Sequence, residues 1–270
     1  MGSAGTPPYG WFRAVLSFYK GVFLCLFGRP KEAEGWFLRA IAFVRKAGDL
    51  EMLVNFHSDA ASLLYGMLGD FEAMLRHARE AVQAAEKLEA PAFIAEAYKN
   101  LGDALLQSKA YRDALAAYER AVAVQEGFEW KPFILAGLAW THLALGDGET
   151  ALNKAREAVN VTRRSPRKLV EFVVQHSVAG VLLWTRGLTA REEIESALEA
   201  AAEAVTAMGA RGFEPLVLIE RARLSHLLGD EARSRNELSD AHRLLIEMDV
   251  PQRAAKLEQK LGLPPRTQTP

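Results

Sequence analysis

The side chains best able to do chemistry are six histidines (His57, His77, His142, His176, His226 and His242) and one cysteine, Cys25. A catalytic zinc site wants two ligands one helical turn apart with a carboxylate close by. No HExxH occurs, and no two histidines share a helix face at ligand spacing with an acid between them. One cysteine forms neither an intramolecular disulfide nor a cysteine-clustered metal site. Glu192, Glu193, Glu195 and Glu199 crowd one helix beginning, where the helix dipole favours negative charge, and nothing sets two of them apart as acid and base. Arg163, Arg164, Arg167 and Lys168 make the densest basic run. Guanidinium groups there could hold a phosphate or an acidic partner, and the same cations suit a helix end. No GxxxxGK[ST] phosphate loop is present. These residue types point to binding rather than bond-making: no catalytic residue, no metal and no cofactor is expected, and the chain is expected not to be an enzyme.

What positions these side chains is a repeat. Chain-reversal points at Gly28, Gly69, Lys109, Gly146, Gly187 and Gly229 are separated by 41, 40, 37, 41 and 42 residues. Seven positions before them stand Gly21, Ser62, Gly102, Ala139, Gly180 and Ala222. Twelve positions after them come Ala40, Ala81, Ala121, Ala158 and Ala241, with Glu199 breaking the pattern in the fifth unit. Small residues at fixed offsets let neighbouring helices approach closely. Turns such as Leu68-Gly69-Asp70, Leu145-Gly146-Asp147 and Leu228-Gly229-Asp230 supply a left-handed stop and then a helix cap, and prolines fall between the pairs. The second helices, rich in alanine, have too little apolar area to stand alone and must stack on a neighbour. The pattern predicts an all-α chain with a repeat domain at residues 10–261, a disordered arm at 1–9 and a disordered tail at 262–270.

Composition narrows the partners. Of 270 residues half are hydrophobic, ample for a continuous core, and 33 basic against 34 acidic side chains leave a formal charge of −1. That balance argues against nucleic acid, which calls for a basic face. The most apolar segment, Trp11 to Phe27, is interrupted by Arg13, Ser17 and Lys20, so no membrane span is expected. A lone cysteine fits a reducing cytoplasm.

Within AEAYKNLGDALLQSKAYRDALAAYERAV, the residues Tyr98, Leu101, Gly102, Leu105, Ala114, Tyr118 and Ala121 resemble the tetratricopeptide-repeat (TPR) consensus, including its spacing across the turn. The long intervals resemble the TPR arrays at the carboxy ends of bacterial MalT-type ATPase regulators and class III adenylyl cyclases. The stretch GARGFEPLVLIERARLSHLLGDEARSRNELSDAHRLL looks like the terminal unit of those regulators. The resemblance implies an α-α superhelix, a TPR-like solenoid of six antiparallel helix pairs plus a C-terminal capping helix. It also implies that first helices line a concave groove. By register the groove would present Phe18, Phe56, Asp59, Lys99, Asp103, Phe133, Trp140, Trp184, Arg223 and His226.

A groove of that lining implies a non-enzymatic scaffold for a protein or peptide partner, in bacterial regulation or complex assembly. The alternative is a small-ligand sensory module of a signalling protein. Lys99 and Asn100 partly resemble a carboxylate clamp, but Asp103 stands where an amide is wanted. The first helix is anomalous. Trp11, Phe12, Phe18, Tyr19, Phe23 and Phe27 point in several directions around it, which suggests an interface with an upstream domain or a homodimer, the alternative being that the superhelix and the short N-terminal arm absorb them.

Overall fold

The computed structural model describes residues 8–124, 130–163 and 167–262, and every regular element among them is helical. Helices α1 (Pro8–Leu26) and α2 (Pro30–Ala47) form the first pair. In the second, α3 (Leu50–Asp59) runs through a π turn (Ala60–Tyr65) into the short α4 (Gly66–Leu68), and α5 (Phe71–Leu88) returns. The third is α6 (Pro91–Gln107) with α7 (Tyr111–Val124). Then come α8 (Lys131–Ala144) with α9 (Gly148–Thr162), and α10 (Lys168–Thr185) with α11 (Arg191–Met208). The last pair is α12 (Glu214–Leu227) with α13 (Glu231–Glu247), and α14 (Pro251–Leu261) follows it. Six pairs and a terminal helix agree with the repeat. The arm and tail expected to be disordered lie outside the described residues at 1–7 and 263–270, and α1 begins at Pro8, within the expected arm.

The contacts gather into two compact units, residues 1–126 and 127–270, a division that the repeat spacing does not announce. In the first, α2 packs on α3, while α3 and α5 pack on α6. In the second, α8 and α9 pack on α10, α10 and α11 on α12, and α13 on α14. Within each unit one pair buries its face against the next, the nearest-neighbour cohesion of a solenoid.

All six reversal points take a positive φ: 78° at Gly28, 74° at Gly69, 63° at Lys109, 87° at Gly146, 53° at Gly187 and 78° at Gly229. Lys109 does so with a side chain, at a cost of about 1 kcal/mol. The aspartates cap as expected: Asp70 accepts from the Ala73 amide at 2.9 Å, Asp147 from Thr150 at 3.0 Å and Asp230 from Arg233 at 2.9 Å. The fifth unit departs for a local reason. A 3₁₀ turn (Gly187–Ala190) delays the start of α11, so Glu199 is exposed and Ala201 takes the fully buried alanine place.

The small residues of the first helices do more than thin the seam, because three of them seat an aromatic ring. A Cβ on Gly21 would lie 2.8 Å from the Phe37 ring, one on Gly102 2.7 Å from Tyr118, and one on Gly180 2.1 Å from Cη2 of Trp140. The first two contacts join helices of one pair; the third joins the first helices of neighbouring pairs.

Overpacking a core typically costs about 1–3 kcal/mol. Gly180→Ala should lower the urea stability of residues 127–270 by about that much, and adding Trp140→Phe should restore most of the loss. Lys109→Gly should raise stability by about 1 kcal/mol, read from the same denaturation curves.

Candidate functional site

In the first unit, Phe18 of α1 and Phe56 of α3 are both buried and stack on each other, ring centroids 4.1 Å apart and 14° from parallel. They join the two helices from inside, so the core holds them rather than an open groove wall. Lys99 of α6 is also buried, and its Nζ donates to Asn100 Oδ1 at 3.0 Å and Asp103 Oδ2 at 3.1 Å. Asp103 accepts a second hydrogen bond from the hydroxyl of fully buried Tyr118. Burial and the Asp103 charge together hold that phenol well above its usual range. The lysine and aspartate therefore serve each other, and a carboxylate clamp has no free ammonium here.

Asp59 differs. It is half-buried at the end of α3, and no hydrogen bond or ion pair engages its carboxylate among the described residues. Burial pushes its carboxyl up to about 6, against the pull of Lys99. Cys25 is fully buried, and desolvation, with Asp59 adding to it, raises its thiol far above neutrality, which leaves it unreactive.

In the second unit the proposed residues fall into two groups. Trp140, half-buried on α8, lies on Gly180 of α10 with its ring 5.9 Å from that of His176. Burial lowers the His176 pKa; the Glu220 charge pulls it back up, and Arg223 and Arg253 push it down. Phe133 packs on the same core. Trp184, Arg223 and His226 converge elsewhere, around a cleft of about 520 Å³ between α10, α12 and α13 that Ile219, Leu227 and Leu238 also line. Trp184 is 65% exposed there. The Arg223 guanidinium stands 5.6 Å from the centre of the Trp184 ring and donates to both carboxylate oxygens of Glu220, at 2.8 and 2.9 Å. His226 Nδ1 lies 2.7 Å from Glu231 Oε1. The result is an apolar cleft whose flanking cation is already neutralised.

Other candidates resolve into structural pairs. Lys168 bonds Glu171 at 2.8 Å, Glu195 accepts from Arg191 at 2.9 Å, and Arg156 reaches Glu193 at 3.4 Å. Arg164 lies outside the described residues. Among the described residues no three of histidine, cysteine, aspartate and glutamate gather as a metal site.

One cluster escapes sequence reasoning. His57 of α3 and His77 of α5, both buried, bring their Nδ1 atoms within 3.1 Å. Arg45 donates to His57 Nε2 at 3.2 Å and to Glu80 at 2.9 Å. An arginine has only donors, so His57 Nε2 accepts, and its Nδ1–H donates to His77. Both rings are thus neutral. Their 20-residue separation crosses a turn, and no spacing rule marks it.

No protein-family model matches the chain, and no curated protein matches its sequence. Solved structures do resemble it. A Rap protein complexed with Competence and Sporulation Factor aligns over 96% of this chain and 75% of its own, with TM-score 0.55 and 15% identity. A STAND signal-transduction ATPase with a tetratricopeptide-repeat sensor, from Pyrococcus horikoshii, aligns over 91% of this chain with TM-score 0.55 and 16% identity. The chain spans only 42% of that protein's length. YrrB, described as a TPR protein with an unusual peptide-binding site, overlaps at TM-score 0.36 and 17% identity, too little to carry an argument. At such identities the likeness is one of fold, and that fold is a TPR-like helical solenoid.

Burial holds His57 down to about 3, with the charges of His77 and Arg45 adding to it, and holds His77 down to about 4, with Arg76 and Arg45 adding. An unfolded histidine titrates near 6.5, so below that pH the unfolded chain takes up two protons that the folded chain refuses. Asp59, raised to about 6, works the other way, because between about 6 and 4 the folded chain holds a proton that the unfolded chain has lost. The histidines outweigh it. Acidification from pH 7 to 5 should cost on the order of 2 kcal/mol of unfolding free energy, measured by urea titration. The double variant His57→Leu/His77→Leu should flatten that slope, and a wild-type midpoint unchanged between the two pH values would contradict neutral histidines.

Proposed function

We propose that this chain is a non-enzymatic scaffold that receives a peptide or a segment of another protein, in bacterial regulation or complex assembly. Exposure of Trp184 beside the cleft of α10, α12 and α13 carries the reading. A tryptophan has on the order of 250 Å² to cover, and it is 65% bare here. Covering the remainder would be worth roughly 3–4 kcal/mol at about 25 cal/mol per Å². Ile219, Leu227 and Leu238 offer the other walls, so an apolar side chain entering the cleft meets apolar surface on several sides. The cleft volume, about 520 Å³, suits one or two large side chains rather than a whole domain.

Arg223 fits the same reading. Lying over the indole ring and tied to Glu220, it presents no bare charge to an apolar guest. The Rap protein of similar fold, whose structure holds Competence and Sporulation Factor, supports a binding role for this architecture. The setting in bacterial regulation rests on the resemblance to the TPR arrays of MalT-type regulators. Within the cell, the lone buried cysteine suits the cytoplasm.

A displayed library of random peptides of about 12 residues, selected on the whole chain, should yield binders with a large apolar residue in common. Trp184→Ala should weaken their binding about 10- to 100-fold with helicity unchanged by circular dichroism, as expected for an aromatic anchor. Peptides that bind the variant as tightly as the wild type would place the docking surface elsewhere.

A further inference from the structure

Helix α1 is apolar on two opposite faces. Ala14, Phe18, Gly21 and Cys25 are buried against the rest of the first unit. Two positions earlier in each case, 200° round the helix, stand Phe12, Leu16, Tyr19 and Phe23, and Phe27 extends their line. These five are 62%, 61%, 53%, 54% and 53% exposed. The Phe27 amide still bonds the Phe23 carbonyl at 2.9 Å, so the helical register continues, and the two rings lie 6.2 Å apart at 19°. A soluble helix normally turns polar residues to this side.

We infer that this stripe is the seam of a homodimer, in which α1 packs antiparallel against α1 of a second copy. Three observations favour a second copy over any other occupant. First, the spacing is close to its own mirror. About a midpoint between residues 19 and 20, Phe12 matches Phe27 and Leu16 matches Phe23, while Tyr19 lies half a residue from the axis, opposite Lys20 and beside its own counterpart. An isologous two-fold contact requires such self-matching, in which residue i meets j and j meets i. The steps of four and three residues are also those of a helix–helix seam.

Second, the area is sufficient. Five large side chains a little over half exposed present roughly 600 Å², at the top of the range for a single patch on a monomer. Two copies would bury about 1,200 Å² together, the threshold of stable association. Third, the charges leave the seam apolar. Arg13 and Lys20 are the only charged residues of α1, so no acid is available there for a basic partner. Lys20 is drawn onto the Trp36 ring of α2, with Nζ 3.9 Å from its centroid. In the antiparallel register Arg13 faces position 26, a leucine, and stands roughly 20 Å from its own counterpart.

This inference is independent of the Trp184 cleft. Sedimentation equilibrium of the whole chain between about 1 and 100 μM should show a species of twice the 29.8 kDa chain mass. Leu16→Glu and Phe23→Glu should each raise the dissociation constant at least about 100-fold, with circular dichroism unchanged, since each buries a charge in the seam. Register is tested separately by oxidation. Tyr19→Cys should form a covalent dimer, and Phe12→Cys should cross-link to Phe27→Cys in a mixture but not to itself. A monomer at 100 μM, glutamate variants that remain dimeric, or self-linkage of Phe12→Cys would each overturn the proposal.

Discussion

An aromatic ring lying on a glycine of a first helix is the contact from which the rest of this architecture follows. Gly102 is the clearest case, since any Cβ there would enter the Tyr118 ring. The close approach fixes Tyr118 in the core, and its hydroxyl then reaches Asp103, one residue further along α6 from the glycine. Asp103 in turn orients Lys99, which also bonds Asn100. A packing contact thus decides where the charges of α6 point. The same holds at Gly180, where the seated Trp140 ring comes against His176, beside Phe172, in the core of the second unit. A missing methyl group in one helix thus sets the electrostatics of that same helix, through a ring carried by its neighbour.

Much of the fold was legible because its determinants are local. A positive φ at every reversal point, and an aspartate accepting from the amide three residues on, are properties of short segments, and glycine and aspartate announce them in the residue string. Where a local element intervened, the periodicity misled: the 3₁₀ turn at Gly187–Ala190 moved the buried alanine from 199 to 201. The site was less legible, because a side chain's exposure depends on neighbours far away in sequence. Register placed Phe56 and Trp184 on comparable first-helix positions, yet one is buried under Phe18 and the other stands 65% exposed. The histidine pair was invisible for the same reason, since its two members meet only once α3 and α5 pack. Neither the division into two units nor the convergence of Arg223 on Trp184 has a signal in spacing.

The ion pairs are mostly internal to a helix or between neighbouring ones, and exposed pairs of that kind contribute about 0–1 kcal/mol. Their main effect is to neutralise, Glu220 on Arg223 and Asp103 on Lys99, while Glu231 stands beside His226. Asp59 shows the cost of keeping a charge in an enclosed place, since burial raises its pKa against the pull of Lys99. Under the proposed binding role, selectivity between partners would come chiefly from apolar shape, where a single aromatic anchor outweighs several exposed ion pairs.

The two exposed apolar surfaces differ in form, and form decides occupant. The stripe on α1 is straight, about 22 Å from Phe12 to Phe27, convex and evenly spaced. Only another long, regular surface would cover it along its whole length. The Trp184 cleft is short and bounded on three sides by α10, α12 and α13, so a helix laid across it would reach the indole through one or two side chains. A convex seam of many equal contacts favours permanent association, because no single residue's release opens it. A concave cleft with one dominant anchor favours exchange, since loss of that anchor frees the guest. Under the two proposals above, the α1 stripe suits a second copy of the chain and the Trp184 cleft a partner that comes and goes.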